Sequence, residues 1–365
     1  MNKKEYELLS SSEVTYLLVG LLIGMGALAL PNDVMATAKQ DGWISVLLGA
    51  VYPLLIMFLS VYILKNNPGV NILSISRNFF GKTIGNILNL LFAFQFAFYC
   101  TAVTAGCSNI LRLYVVSFLE PIKIFILIFV IAAYASSRGL KVVARVNEIV
   151  FYLTVLIVIL PIMALKDGSV LNISPILGSG IKNIILGTKE TIFAYASSEA
   201  ILLIPLFIRD KNKIKSSFFK AIVYTALIYT WITFITIYYL GPDIIPKSLW
   251  GFISVTDSVK VPVINNFRFI FMYLWTIIIL KTITNEYYFI TFVLSDVTKI
   301  KRKIVNICIF PLLLYFTTLF GNEAQRRKII AAVVVKLTLF NIIFIVLIAL
   351  IIFVKKVMKD EKNSI

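Results

Sequence analysis

Apolar residues gather into long unbroken runs along this chain, not into the spaced stripes of a soluble helix or strand. Residues 42–64, 83–111, 221–242 and 304–322 carry no charged side chain. A helix that crosses the hydrocarbon core of a bilayer needs about 20 mostly apolar residues, and each run supplies that length. Shorter or interrupted runs at 14–30, 124–137, 149–165, 184–208, 269–294 and 329–354 repeat the pattern. The pattern predicts an all-α membrane protein with ten transmembrane helices. They would occupy about 200 residues, leaving short loops and tails within one integral membrane domain over residues 1–365.

Two of the runs contain helix-breaking sequence. The first holds Gly20, Gly24, Gly26 and, just beyond, Pro31; the sixth holds Ala194, Ala196, Ser197, Ser198 and then Pro205. The two prolines lie about half the chain apart. Gly costs a helix roughly 1 kcal/mol relative to Ala, and Pro more. Irregular backbone at membrane depth survives only against protein or a wet cavity, and paired broken helices point to a midplane solute site. Around Gly24, Met25, Gly26 and Ala27 the freed N–H groups would meet a carboxylate, aided by the half-helix dipole. Around Phe193, Ala194, Tyr195 and Ser197 the freed carbonyls would meet an ammonium. The competing reading is close helix packing, since Gly20 and Gly24 form a GxxxG pair.

Composition agrees with lipid as the main solvent. Hydrophobic residues make up 59% of the chain, charged residues 15%, and the mean hydropathy is +0.92. With so few polar residues the chain has no means of covering a soluble surface. The net charge of +17 is spread over short loops between apolar runs, which suits anionic membrane lipids and excludes nucleic acid as partner. Basic residues are denser in the loops that share a side with both termini, which puts both termini in the cytoplasm; Arg326, Arg327 and Lys328 run against that bias. Lys3 and Lys4 before an apolar stretch also resemble a signal peptide, but Glu5, Glu7 and Glu13 dilute the charge and a first span fits as well. The chain has no His, and Cys100, Cys107 and Cys308 all fall in apolar segments, which reads as small buried hydrophobes. With no nucleophile–base pair, metal cluster or phosphate loop, neither an enzyme nor a metal or other cofactor is expected.

Charged residues at membrane depth are costly, at about 2.5–3.5 kcal/mol or more, so Glu199 in the sixth run and Lys281 in the eighth are candidates for gating or coupling. Glu286 reads as too near the cytoplasmic end to matter. Lys336 has a stem long enough to carry its charge back to the interface, and Glu148 reads as a structural ion pair.

Several strings resemble a known family. Residues 23–31 (IGMGALALP) are similar to the first-span signature of amino-acid and polyamine permeases. Residues 38–45 (AKQDGWIS), 139–148 (GLKVVARVNE) and 198–203 (SEAILL, followed by Pro205) resemble the spore germination permeases, the B subunits of germinant receptors. The resemblance implies a LeuT-like fold of two inverted five-helix repeats, about 12–166 and 182–355, with helices 1 and 6 broken. It implies a receptor for a small germinant such as an amino acid, in the spore inner membrane, partnered by an A subunit and a C-subunit lipoprotein. In such a fold span 3 lines the site, which brings in Tyr99. The face of span 8 opposite span 1, with Lys281 and Thr282, holds a coupling cation in many members, and a lysine ammonium would replace it. An acidic residue expected near Ile270 is missing. A proton-coupled amino-acid transporter, or a water or ion channel of the same fold, is the alternative.

Overall fold

A computed structural model describes residues 8–259 and 267–363, with side chains to 359; Lys3, Lys4, Glu5 and Glu7 lie outside the described residues. Each predicted crossing has a helical counterpart there. The first is split into α1 (Ser11–Leu22) and α2 (Gly26–Ala38), and the second is built from α3 (Gly42–Gly49) and α4 (Val51–Asn66). The third is α5 (Ile72–Tyr114), the fourth α6 (Pro121–Ser137), and the fifth α7 (Leu140–Ile159) with a 3-10 extension to Leu165. The sixth opens with α8 (Ile181–Gly187) and continues only as 3-10 turns, Ser198–Leu203 and Pro205–Phe207 among them. Then come α9 (Ile214–Leu240), a short α10 (Gly251–Val255) in a loop, α11 (Phe267–Thr298), α12 (Arg302–Thr318) and α13 (Glu323–Asn363).

Local chemistry explains the element ends. Ser10 and Glu13 form a reciprocal capping box at the start of α1, with Ser10 N–H donating to Glu13 Oε2 at 2.7 Å. The apolar run predicted at 83–111 is the main part of α5. Its first turns fold away at Gly81, whose φ of +78° is open to glycine without cost. Gly139, at φ +99°, likewise sets the turn into α7.

The outer surface is apolar: Ile149, Ile307, Leu127 and Phe353 are all more than half exposed. A soluble monomer does not tolerate so much contiguous apolar area, and among the described residues six helical stretches are long and apolar enough to span a bilayer. The chain is therefore an integral membrane protein. Cys100 and Cys107 are buried as expected, but Cys308 faces outward on α12, where lipid is as good a solvent for a thiol as the core. Lys336 points outward on α13. Glu148 makes no ion pair among the described residues, because Lys141 at 2.5 Å and Arg145 at 3.7 Å pair with Glu13 instead.

The core is organised by α11, which packs most extensively on α5 and also meets α1, α6, α7 and α12. Around it, α1 contacts α7 and α9, and α2 contacts α8. The two interrupted crossings thus lie side by side in the middle of the bundle.

Asp41 fixes the turn after α2. Its carboxylate is fully buried and accepts three hydrogen bonds, from Leu177 N–H at 2.8 Å, Ser179 N–H at 2.9 Å and Ser179 hydroxyl at 2.7 Å. This ties the Asp-Gly-Trp turn to the segment leading into α8. Hydrogen bonds to a charged group contribute about 1.5–3 kcal/mol each. Asp41→Ala is expected to lower the melting temperature of the detergent-purified protein markedly, and Asp41→Asn to do so less. A thermal unfolding curve within 2 °C or so of wild type for the alanine variant would show that the turn is not anchored this way.

Candidate functional site

The first crossing stops being helical where its glycines lie. Ile23 ends α1 in an extended conformation, and Gly26 starts α2. The glycines are required by close approach: a Cβ on Gly24 would stand 2.9 Å from Thr282 Oγ1, and one on Gly26 would stand 2.9 Å from Ala194 Cα. The opposite break is at Ser197, a non-glycine residue with φ +71°. Pro31 does not break its helix; it sits within α2.

Between the breaks lies a cavity of about 20 Å³, lined among others by Gly24, Met25, Gly26, Tyr99, Phe193, Ser197, Thr282 and Glu286. It has room for about one water molecule, so the site is closed. Tyr99 and Phe193 face each other across it with ring centroids 5.7 Å apart. Three residues predicted for the site do not line it. Ala27 is buried within the first turn of α2. The Ala194 carbonyl, expected to be free, accepts the Tyr229 hydroxyl at 3.1 Å, and that hydroxyl also reaches the Leu22 carbonyl. Tyr195 points away, donating to the Val46 carbonyl at 3.1 Å and packing on Tyr229. Small neighbours at the break made Tyr195 and Ala194 look like ligand contacts; in fact the Tyr229 hydroxyl engages the Ala194 carbonyl, and Tyr195 is turned to Val46 and Tyr229.

Lys281 meets the end of α1. Its ammonium, 3% exposed, donates to the carbonyls of Gly20 at 2.9 Å and Ile23 at 2.7 Å. The Thr282 hydroxyl lies 3.1 Å and 2.9 Å from the same two oxygens. The last carbonyls of a helix lack intrahelical donors and carry the negative end of its dipole, so a cation is suited to this place. Glu199 lies behind the cavity, not in it. One of its carboxylate oxygens accepts from the Gln95 amide and from the Asn341 amide, the latter at 2.7 Å, and the other has no partner.

Sequence reasoning discounted Glu286, yet it reaches the cavity. Its spacing carried the signal: it follows Thr282 by one helical turn and so shares its face.

These breaks, side by side at mid-bundle, are the arrangement of a permease. The profile of a family described as spore germination protein matches residues 8–326. The chain belongs to this spore germination protein family. Two Bacillus relatives match along most of their length. Spore germination protein YndE of Bacillus subtilis (strain 168) is 24% identical over 86% of this chain and 88% of its own. Spore germination protein GerQB of Bacillus cereus is 21% identical over 89% and 90%. Among solved structures, MhsT in complex with L-phenylalanine superposes with a TM-score of 0.65 at 14% identity, covering 93% of this chain and 87% of MhsT. The fold is therefore that of the LeuT-like transporters.

The two ends of the first crossing are held to neighbouring elements by different means. At one end Arg327 pairs with Asp33 of α2 at 2.9 Å and donates to the Leu249 carbonyl at 2.6 Å. Arg326 is buried against Glu323 at 2.6 Å and reaches the Ala102 carbonyl of α5 at 3.3 Å. At the other end Leu9 N–H donates to the Phe207 carbonyl at 2.7 Å and Arg209 N–H to the Leu9 carbonyl at 3.0 Å. There the segment before α1 is laid against the exit of the sixth crossing.

Lys281→Met would leave the Gly20 and Ile23 carbonyls without the ammonium. It is expected to destabilise the purified protein by about 3–6 kcal/mol, two bonds to a charged donor at about 1.5–3 kcal/mol each. Unchanged chemical or thermal unfolding would show that α1 ends without help from α11.

Proposed function

We propose that the protein is the germinant-binding B subunit of a spore germinant receptor, residing in the spore inner membrane with both termini cytoplasmic. A small amino acid or related solute would bind between the breaks of the first and sixth crossings. Its carboxylate would meet N–H groups near Gly24, Met25 and Gly26, and Tyr99 and Phe193 would cover it. Binding would shift the balance between closed and open arrangements and pass the signal to an A subunit and a C-subunit lipoprotein. The two inverted repeats, about 12–166 and 182–355, would be the moving halves. The single observation that carries this reading is the meeting of both breaks around one cavity in a chain of this family.

A transporter reading has its own support. Closures of different chemistry at the two ends are what alternating access needs. Uptake of labelled amino acids into vesicles containing the protein separates it from pure sensing.

Gly26→Leu would drive a side chain into the Ala194 backbone. Spores carrying it, with normal protein levels, are expected to lose germinant-triggered dipicolinate release by tenfold or more. An unchanged dose response would remove the site from this cavity. A fixed ammonium at the end of α1 also leaves no need for a mobile cation there. The response is expected to stay within about twofold when Na⁺ is replaced by choline, and a strict Na⁺ requirement would contradict the role given to Lys281.

A further inference from the structure

We infer that Glu286 is the counter-ion for the ligand's ammonium, so that the cavity selects small solutes bearing an amine; this rests on the reading of the cavity as the germinant site. Glu286 lines the cavity beside Gly24, Gly26, Ser197 and Thr282, is 2% exposed, and has a carboxylate oxygen with no hydrogen-bond partner. No ion pair to Glu286 is found among the described residues. The nearest lysine along its own helix, Lys281, is committed to the α1 carbonyls on a different face of α11. The other buried acid nearby, Glu199, is held by amides and brings no positive charge.

A carboxyl group in so dry a place either holds a proton or is joined by a cation, and its ionised form needs the cation. Lys281 is not that cation, and of the carbonyls once expected to hold an ammonium, that of Ala194 is engaged by Tyr229. An incoming ammonium supplies the missing charge and the missing donors together, through short charge-assisted bonds, with Ser197 lining the same cavity. The remaining wall, with Leu21, Leu22, Met25 and Val103, is apolar and would meet a short aliphatic side chain once the closed cavity widens. A solute without an amine would leave the carboxylate uncompensated, and an anion would add to the repulsion. The discrimination is therefore strong by the general rule that a buried group left unpaired costs more than a lost contact.

The test uses the full-length protein in nanodiscs of phosphatidylglycerol and phosphatidylethanolamine, with binding read by calorimetry. The probes are the twenty standard amino acids and, beside L-alanine and L-valine, their deaminated counterparts propionate and isovalerate. Wild type is expected to bind at least one amino acid and to bind its deaminated counterpart at least tenfold more weakly. Glu286→Gln is expected to lose tenfold or more for the amino acid and to narrow that gap. Comparable wild-type binding of the deaminated probe overturns the inference without any variant. So does a Glu286→Gln affinity within twofold of wild type while Gly26→Leu abolishes binding, and in that case the cavity remains the site. Full binding by both variants, or no binding of any amino acid by wild type, overturns the reading of the cavity as well.

Discussion

Everything at the centre of this protein follows from one constraint: peptide groups released by a helix break inside a bilayer have no water to turn to. Each unsatisfied group costs several kcal/mol in hydrocarbon, so two adjacent breaks are tolerable only if side chains meet the freed groups. The structure does this asymmetrically. The carbonyl side is filled by Lys281 and Thr282 on α11 and by Tyr229 on α9, which together engage Gly20, Leu22, Ile23 and Ala194. At the start of α2 the Leu28 N–H turns back to the Met25 carbonyl at 3.2 Å, while Gly26, where a helix's first N–H groups lack intrahelical carbonyls, lines the cavity. The break is thus permanently stapled on one side and left available on the other.

That asymmetry also explains the placement of charge. Lys281 and Glu286 lie on one helix yet serve different surfaces, the ammonium facing the end of α1 and the carboxylate the cavity. A salt bridge between them would neutralise both and leave neither for its task. The arginines that run against the loop-charge bias are accounted for similarly. Arg326 and Arg327 are paired with Glu323 and Asp33, so two of the three basic residues in that cluster are already matched by carboxylates.

The crossings were legible in the sequence because hydrocarbon imposes a crude and strict rule on composition: runs such as 42–64 and 221–242 admit no other reading. The breaks were legible too, since glycine and small residues are the only ones that permit backbone contact as close as that between Gly26 and Ala194. Orientation around each helix was not. Ala194 and Tyr195 sit at the break, but which way a carbonyl or ring points depends on partners distant in sequence, Tyr229 and Val46. Glu286 was discounted by its depth along the run, although its spacing from Thr282 placed it on the cavity face. Glu148 was matched to its neighbour Arg145, when the partner for Arg145 and Lys141 lay at the other end of the repeat, in Glu13.

The closed state is also energetically modest, which matters for a small ligand. Opening the end near Asp33 need not disturb the buried pair of Arg326 with Glu323, since both belong to α13. Its cost lies in contacts between elements, among them the partly exposed Arg327–Asp33 pair, the bonds to the Leu249 and Ala102 carbonyls, the Asn109–Glu323 bond and the bonds of Asn32 to Ile245, Ser248 and Gly251. A partly exposed ion pair contributes about 0–1 kcal/mol and a hydrogen bond to a charged group about 1.5–3 kcal/mol. At the other end the two backbone bonds of Leu9 contribute about 0.5–1.5 kcal/mol each. The Leu9 end is therefore the weaker of the two. A ligand that binds only the open arrangement stabilises it by RT ln(1 + [L]/Kd), about 2.7 kcal/mol at a hundredfold excess over Kd, which is the size of the Leu9 closure. Stronger seals would leave a small solute unable to shift the balance, and weaker ones would leave the cavity open without it.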